Sequence, residues 1–394
     1  MPLAHERPRQ SINLLLKKIK FSPIVSIQGP RQCGKSYLAK KILTQHLKSI
    51  EVKTLDEKQT RYFADQNPQL FLKDTSASHL VVDEVQKVPH LFDEMKAIVD
   101  VNRKPGQFII LGSTEFSIES KIKESLTGRL SRLKIYPFNL SEAKSLPLNP
   151  QKTFPFVLNK GRVDKKDMMK YLKNGGLPGI FVVKSDLEKQ SLIKDWINLT
   201  TTRDIFQFKN KKLNSEIAER ILEQIALLDE PHAGAIAGAL GLSLLAVQNH
   251  LKVLKNLFVL DELYPDAKSA GKPIFFICDV GILEHYRASF SKKILTWLLI
   301  EFRSQMSYKS TISDKICYFK SARSQPIHFV NIVGSRLTAV KVVFSDVVDQ
   351  RDLIIFESIK KKYPQHQFDF HILYGGARQI KMNEVLVSPW ENIV

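Results

Sequence analysis

Gly29-Pro30-Arg31-Gln32-Cys33-Gly34-Lys35-Ser36 occupies every fixed position of the phosphate-gripping pattern G-x-x-x-x-G-K-[ST]. Its flanks are the ones that pattern needs. Ile24-Val25-Ser26-Ile27-Gln28 reads as a short buried strand, and Tyr37 to Leu43 places apolar residues at helical spacing, so the loop joins a strand to a helix. Backbone N–H groups can close around phosphate oxygens where no Cβ intervenes, and the helix adds its positive end. The whole run Gly29, Pro30, Arg31, Gln32, Cys33, Gly34, Lys35, Ser36 and Tyr37 is therefore the expected nucleotide cradle. Lys35 is expected at the β- and γ-phosphates, and Ser36 on a magnesium ion.

The second landmark is His79-Leu80-Val81-Val82-Asp83-Glu84-Val85, an apolar run that ends in two acids. An aspartate at the end of a buried strand downstream of such a loop suits magnesium, directly or through water, which assigns Asp83. Glu84 then stands where a carboxylate can orient an attacking water, the main help a phosphoanhydride needs. Ser113 and Thr114 follow a third buried run, Gln107 to Leu111, and are candidates for the γ-phosphate or the water. Arg129 is of the type that neutralises charge in phosphoryl transfer from a neighbouring subunit. Asn159-Lys160 continues with Gly161-Arg162, so no guanine-reading Asn-Lys-x-Asp motif is present there.

Around these landmarks, apolar strands alternate with amphipathic helices, Gln10 to Lys20 and Leu91 to Val99 among them. The alternation predicts an α/β fold with a parallel sheet. Past Tyr136-Pro137-Phe138 the rhythm stops, and the segment from Pro147 to Lys152 reads as a boundary. A helical region follows, ending in the helix, turn, helix and strand outline of a winged helix at Ala233 to Leu263. From about Ile282 a small α/β module is expected, with a helix at Ile294 to Phe302 and strands at Ile316 to Phe319, Ile327 to Val333, Ala339 to Phe344 and Phe368 to Leu373. The expected domains are 1–146, 147–283 and 284–394.

Composition sets the outer limits. Across 394 residues, 59 Lys and Arg against 40 Asp and Glu leave a formal charge of +19, which favours polyanions such as nucleic acid or nucleotide phosphates. The three cysteines are widely spaced and form no C-x-x-C pair, which argues against a disulfide framework and a structural zinc. No apolar run reaches bilayer length and the opening residues lack a secretory block, so a cytoplasmic protein without a membrane partner is expected.

Taken together, these stretches resemble the prokaryotic AAA-superfamily ATPases that join an N-terminal ATP-binding domain to a C-terminal region of unknown function. The likeness lies in Gly29-Pro30-Arg31-Gln32 with Gly34-Lys35, in Val82 to Gln86, in Ile110 to Ser113, and in Leu126 to Arg129 followed by Tyr136 to Glu142. Gly175-Gly176-Leu177-Pro178, Thr202 to Ile205 and Pro273 to Ile282 are similar to markers of the C-terminal region. The resemblance implies ATP hydrolysis with magnesium, a winged helix, and a terminal module related to restriction-endonuclease-like nucleases. It brings in Arg203 beside Arg129 as an arginine acting across a homo-oligomer interface. Members often carry Phe-Glu, Glu-Val-Asp and Glu-Val-Lys in that module. This chain has Lys293-Ile294, Ile327-His328-Phe329 and Ala339-Val340-Lys341, and only Lys341 matches. Without clustered carboxylates to hold a cation, the module is expected to have lost nuclease activity.

The expected function is an ATPase coupled to nucleic acid or a protein partner. The alternative is a nucleotide-switched regulatory or defence module with little turnover. In the second helix of the winged-helix outline, Leu244, Leu245 and Ala246 are poor readers of base edges. Gln248, Asn249, Lys252 and Lys255 suit phosphate contact better.

Overall fold

The computed structural model describes residues 7–116, 126–208, 212–310, 315–321 and 325–394, which divide into two compact units. The first comprises Met1–Pro137 with the short pieces Leu177–Gly179 and Asn256–Val259; the rest of the chain forms the second.

In the first unit the strands are β1 (Ile24–Gln28), β2 (Ile50–Thr54), β3 (His79–Asp83), β4 (Phe108–Gly112) and β5 (Leu130–Lys134). They form a sheet in the order β2-β3-β4-β1-β5, and every pairing is parallel. Strands β1 and β4 are buried along their whole length. A strand covered on both faces is mostly apolar, which is why Phe108 to Leu111 reads as an unbroken run, while β1 carries the buried polar residues Ser26 and Gln28 beside Ile24, Val25 and Ile27. Helices α1 (Ile12–Ile19), α3 (Lys58–Gln66), α4 (Pro68–Lys73) and α5 (Leu91–Val101) supply the cover. The helix after the glycine loop, α2, runs Lys35–Tyr37, widens into a π turn at Leu38–Leu43 and closes at Thr44–His46. One apolar cluster, with Leu15, Ile27, Leu38 and Leu111, fills one face of the sheet; another, with Phe71, Val82, Phe92 and Ile110, fills the other.

Two elements here go beyond the expected rhythm. α3 is rich in polar residues, with only Ala64 buried and Phe63 packed against the core; Asn67-Pro68 then separates it from α4, with proline at the tolerated first position. β5 is an edge strand of mostly half-covered polar residues and continues the sheet past the point where the alternation fades.

The second unit opens with the capping box Asn139–Glu142 on a short helix α6 (Leu140–Ala143). Buried Glu301 accepts the Leu140 N–H at 2.9 Å, so the Asn139 to Glu142 marker is used structurally. The helices α7 (Lys165–Asn174), α8 (Asp186–Thr202), α9 (Ser215–Leu227), α10 (Ala233–Leu240) and α11 (Leu244–Asn256) follow. Gly241, in the left-handed region, ends α10. Next come the hairpin β6 (Leu260–Pro265) and β7 (Ile274–Ile277), then α12 (Val280–His285) and α13 (Phe290–Lys309). The chain closes with β8 (Cys317–Phe319), β9 (Ile327–Val333), β10 (Arg336–Val342), α14 (Ile354–Lys362), β11 (Gln367–Tyr374), β12 (Ile380–Met382) and β13 (Val385–Pro389).

A boundary at 283 has no counterpart in this unit. β6 pairs with β8, so the hairpin extends one eight-stranded sheet, β12-β13-β11-β10-β9-β8-β6-β7. Leu263 and Phe276 of the hairpin share a core with Trp297, Phe329 and Leu373. The expected boundary at 146/147 also moves, to Pro137/Phe138, because Phe138 and Leu140 belong to that same core. The markers Gly175-Gly176 and Asp279 meet: the Asp279 carboxylate accepts N–H groups of Gly176 at 2.6 Å and Gly281 at 2.8 Å, tying a turn to the start of α12. Among the described residues no helix is long and apolar enough to cross a membrane.

Candidate nucleotide site

The glycine loop, Asp83-Glu84 and Ser113 leave the carboxyl ends of β1, β3 and β4, the edge where open α/β sheets place ligands. The loop is shaped by its neighbours. A Cβ on Gly29 would collide with the Ile135 carbonyl oxygen, and Gly34 has φ +94°. Gln32 adopts φ +60°, which few non-glycine residues accept. Cys33 is wholly buried in the apolar cluster, so its side chain anchors the loop. Arg31, Gln32 and Tyr37 keep exposed or part-exposed side chains.

Lys35 is buried, and its Nζ donates to the carbonyl oxygens of Gly29 at 2.9 Å and Pro30 at 2.8 Å. Among the described residues no carboxylate pairs with it. Ser36 Oγ donates to Asp83 Oδ2 at 2.7 Å, while Asp83 Oδ1 is buried without a hydrogen-bond partner among the described residues. A buried carboxylate oxygen left open beside a serine hydroxyl has the donor chemistry of a hard-cation site, so Ser36 and Asp83 fit a magnesium ion. That ion would offset charge on the phosphate oxygens.

Glu84 lies just past the strand, at φ +57°, and its carboxylate accepts from Ser113 Oγ at 3.3 Å and from the side-chain amide of Gln86. Backbone in that region costs a non-glycine residue of order 1–3 kcal/mol, a strain that recurs at functional sites. Thr114 contributes its backbone: its carbonyl oxygen accepts from Gln28 Nε2 at 2.9 Å, which binds the ends of β1 and β4 together.

The structure thus brings together the loop, Asp83, Glu84 and Ser113, and sets Arg129 apart. Arg129 precedes β5 at the amino end of the sheet, where its backbone carbonyl meets the Ile24 N–H. Its guanidinium pairs with Asp100 at 2.5 Å. About 16 Å of strand separates that level from the loop, so within one chain it does not join the site. Arg203 is an exposed residue of the second unit, paired with Asp204 at 3.2 Å.

Sequence reasoning missed two residues. Buried Arg9 donates to the carbonyl oxygens of Cys33 at 2.9 Å and Tyr136 at 2.7 Å. Because a trans peptide points its C=O and N–H in opposite directions, holding Cys33 O turns the Gly34 N–H the other way. No motif marks Arg9. Gln86 was visible only as part of the resemblance and carried no assigned role.

Residues 21–144 match the family described as an AAA domain, and residues 165–293 match a domain of unknown function, DUF8612. Uncharacterized protein Rv2008c of Mycobacterium tuberculosis is 25% identical over 286 residues, 70% of this chain and 58% of that protein. Uncharacterized protein MJ1544 of Methanocaldococcus jannaschii is 27% identical over 205 residues, 50% of this chain and 44% of that protein. The chain thus spans about half the length of these curated relatives. The solved Walker-type ATPase PABY2304 of Pyrococcus abyssi is similar at 14% identity and a TM-score of 0.45, over 72% of this chain and 95% of that one. The match to the AAA domain over residues 21–144 falls on the sheet and glycine loop just described, and the match to a domain of unknown function falls on the region that follows.

Proposed function

We propose that the first unit hydrolyses ATP with magnesium and that this turnover serves nucleic-acid or protein-partner binding by the rest of the chain. The observation that carries the reading is Lys35: among the described residues a buried ammonium held only by carbonyl oxygens, next in sequence to Ser36, whose partner Asp83 keeps an open oxygen. A buried cation without an anion is costly, and a triphosphate supplies the missing charge. In this reading the loop N–H groups and Lys35 hold the β- and γ-phosphates. Ser36 and Asp83 hold the metal, Glu84 orients the attacking water, and Ser113 senses the γ-phosphate. Arg129 or Arg203 would act only from a second copy of the chain.

In the second unit, we read α10, α11 and the β6–β7 hairpin as a winged-helix element. Its second helix exposes Leu244 and Leu245 at the start, which favours backbone contact or a protein partner over reading of base edges. The terminal sheet is read as a nuclease-like scaffold that does not cut. Lys341 there is committed to Asp352, and His328 Nδ1 accepts the Val342 N–H at 2.9 Å.

The test is ATP turnover with magnesium and with a chelator, in the absence and presence of single- and double-stranded DNA, with molecular mass measured alongside. Magnesium-dependent turnover that DNA stimulates supports the full reading. Turnover indifferent to DNA moves the partner to protein, and absence of turnover with intact binding favours a nucleotide-controlled switch.

A further inference from the structure

Gln86 is the feature of this site that its expected roles leave unused. It sits in a short 3-10 turn, Val85–Lys87, directly after the strained Glu84. Its amide nitrogen donates to Glu84 Oε2, and lies 3.4 Å from Ser113 Oγ, which itself donates to Glu84 Oε2. A carboxylate accepts and cannot donate, so the amide atom that meets Glu84 Oε2 is the Gln86 nitrogen, and the amide oxygen is left for another donor. That oxygen, Gln86 Oε1, is buried beside Gly112 at the carboxyl end of β4 and has no hydrogen-bond partner among the described residues. Among the described residues Glu84 Oε1 also takes no hydrogen bond. Two acceptors therefore stand open on one linked group of side chains. A buried acceptor left open calls for a donor, and a water has two hydrogens to give.

We infer that Gln86 Oε1 and Glu84 together bind the two hydrogens of the attacking water, turning its lone pair toward the γ-phosphorus, and that Gln86 is a catalytic residue of this site. The inference rests on the ATPase reading above. In the step, the water oxygen forms the new bond to the γ-phosphorus. The bond from that phosphorus to the bridging oxygen breaks, and its electron pair leaves on ADP. One water proton passes to Glu84, and the other stays on the phosphate product. The φ +57° backbone at Glu84 makes this geometry possible, because it turns the chain so that residues 84 and 86 converge on Ser113.

The experiment compares wild type with Gln86→Leu and Glu84→Gln in three readouts. The first is ATP turnover at saturation, the second is affinity for magnesium-ADP with beryllium fluoride or aluminium fluoride, and the third is the unfolding midpoint. Beryllium fluoride mimics the bound γ-phosphate, whereas aluminium fluoride mimics the in-line transition state with its water in place. Gln86→Leu is expected to lower turnover by roughly a hundredfold. It is also expected to weaken the aluminium fluoride complex while leaving KM, the beryllium fluoride complex and the midpoint within about twofold or unchanged. The double variant should be no slower than Glu84→Gln, since both side chains act on one water. Wild-type turnover in Gln86→Leu, or equal weakening of both fluoride complexes, overturns the inference. If the wild type binds neither fluoride complex, the ATPase reading fails first and takes this inference with it.

Discussion

Both units bury lysines, and Lys35 and Lys341 are treated in opposite ways; Lys292 of the second unit, also buried, sets its Nζ over the Phe276 ring instead. Lys341 in the second unit is 2% exposed, and its Nζ is 2.8 Å from Asp352 Oδ1, so its charge is answered within the fold. Lys35 in the first is 6% exposed and, among the described residues, donates only to the carbonyl oxygens of Gly29 and Pro30. The neighbours repeat the contrast. His328, next to Lys341, spends Nδ1 on the Val342 N–H, and burial with the nearby Lys341 charge lowers its pKa to about 3. Asp83, next to Lys35, keeps one oxygen open. The cluster around Lys341 is satisfied within the fold, whereas the one around Lys35 leaves, among the described residues, the lysine without an anion and an Asp83 oxygen without a donor.

The contrast can be broken by removing each charge in turn. Lys35→Met should reduce affinity for magnesium-ATP by about a hundredfold or more, roughly 3 kcal/mol, by calorimetric titration. The same change should leave the denaturation midpoint no lower than wild type, since it deletes an unanswered buried charge. Lys341→Met should do the reverse, costing about 1 to 3 kcal/mol in denaturant unfolding because Asp352 loses its partner, with ATP affinity unchanged. The estimate is reduced from that for a fully buried pair because the Asp352 side chain is 18% exposed. A lost plasmid-nicking activity in that variant would restore a nuclease role to the terminal sheet.

The smallest effect sharpens the same comparison through pH. Burial pushes Glu301, the cap of α6, up to about 7 from 4.5, against the lowering pull of its Gln305, Leu140 and Ser141 hydrogen bonds. A carboxyl whose folded pKa is raised contributes its full stability below its unfolded value and loses it as pH rises through the folded one. The wild type should therefore lose about 1 to 2 kcal/mol between pH 4.5 and 8 relative to Glu301→Gln, in denaturant melts at each pH. The ATP site, which does not contain Glu301, should show no matching change in affinity.

The parts legible in the sequence were those with local causes. β1, β3 and β4 are buried runs with functional residues at their carboxyl ends, so strand and chemistry could be read from one segment. β5 and α3 were obscured because an edge strand and a largely exposed helix keep many polar residues. Division into separate domains at 283 was suggested by a change of rhythm, but the pairing of β6 with β8 joins segments more than fifty residues apart, which no local pattern reveals. The expectation for Arg129 followed residue type alone; its place at the amino end of the sheet depends on the register with β1. Arg9 and Gln86 matter through what they reach, Cys33 O and Glu84, and become visible only when the chain is folded.

The most direct test of the central claim is ATP turnover at saturating magnesium-ATP by wild type and Glu84→Gln, with nucleotide affinity measured on the same preparations. The account predicts equal affinity and a loss of turnover of about 100-fold or more in the variant. Equal turnover in the two proteins, or a wild type that binds no ATP, would contradict it.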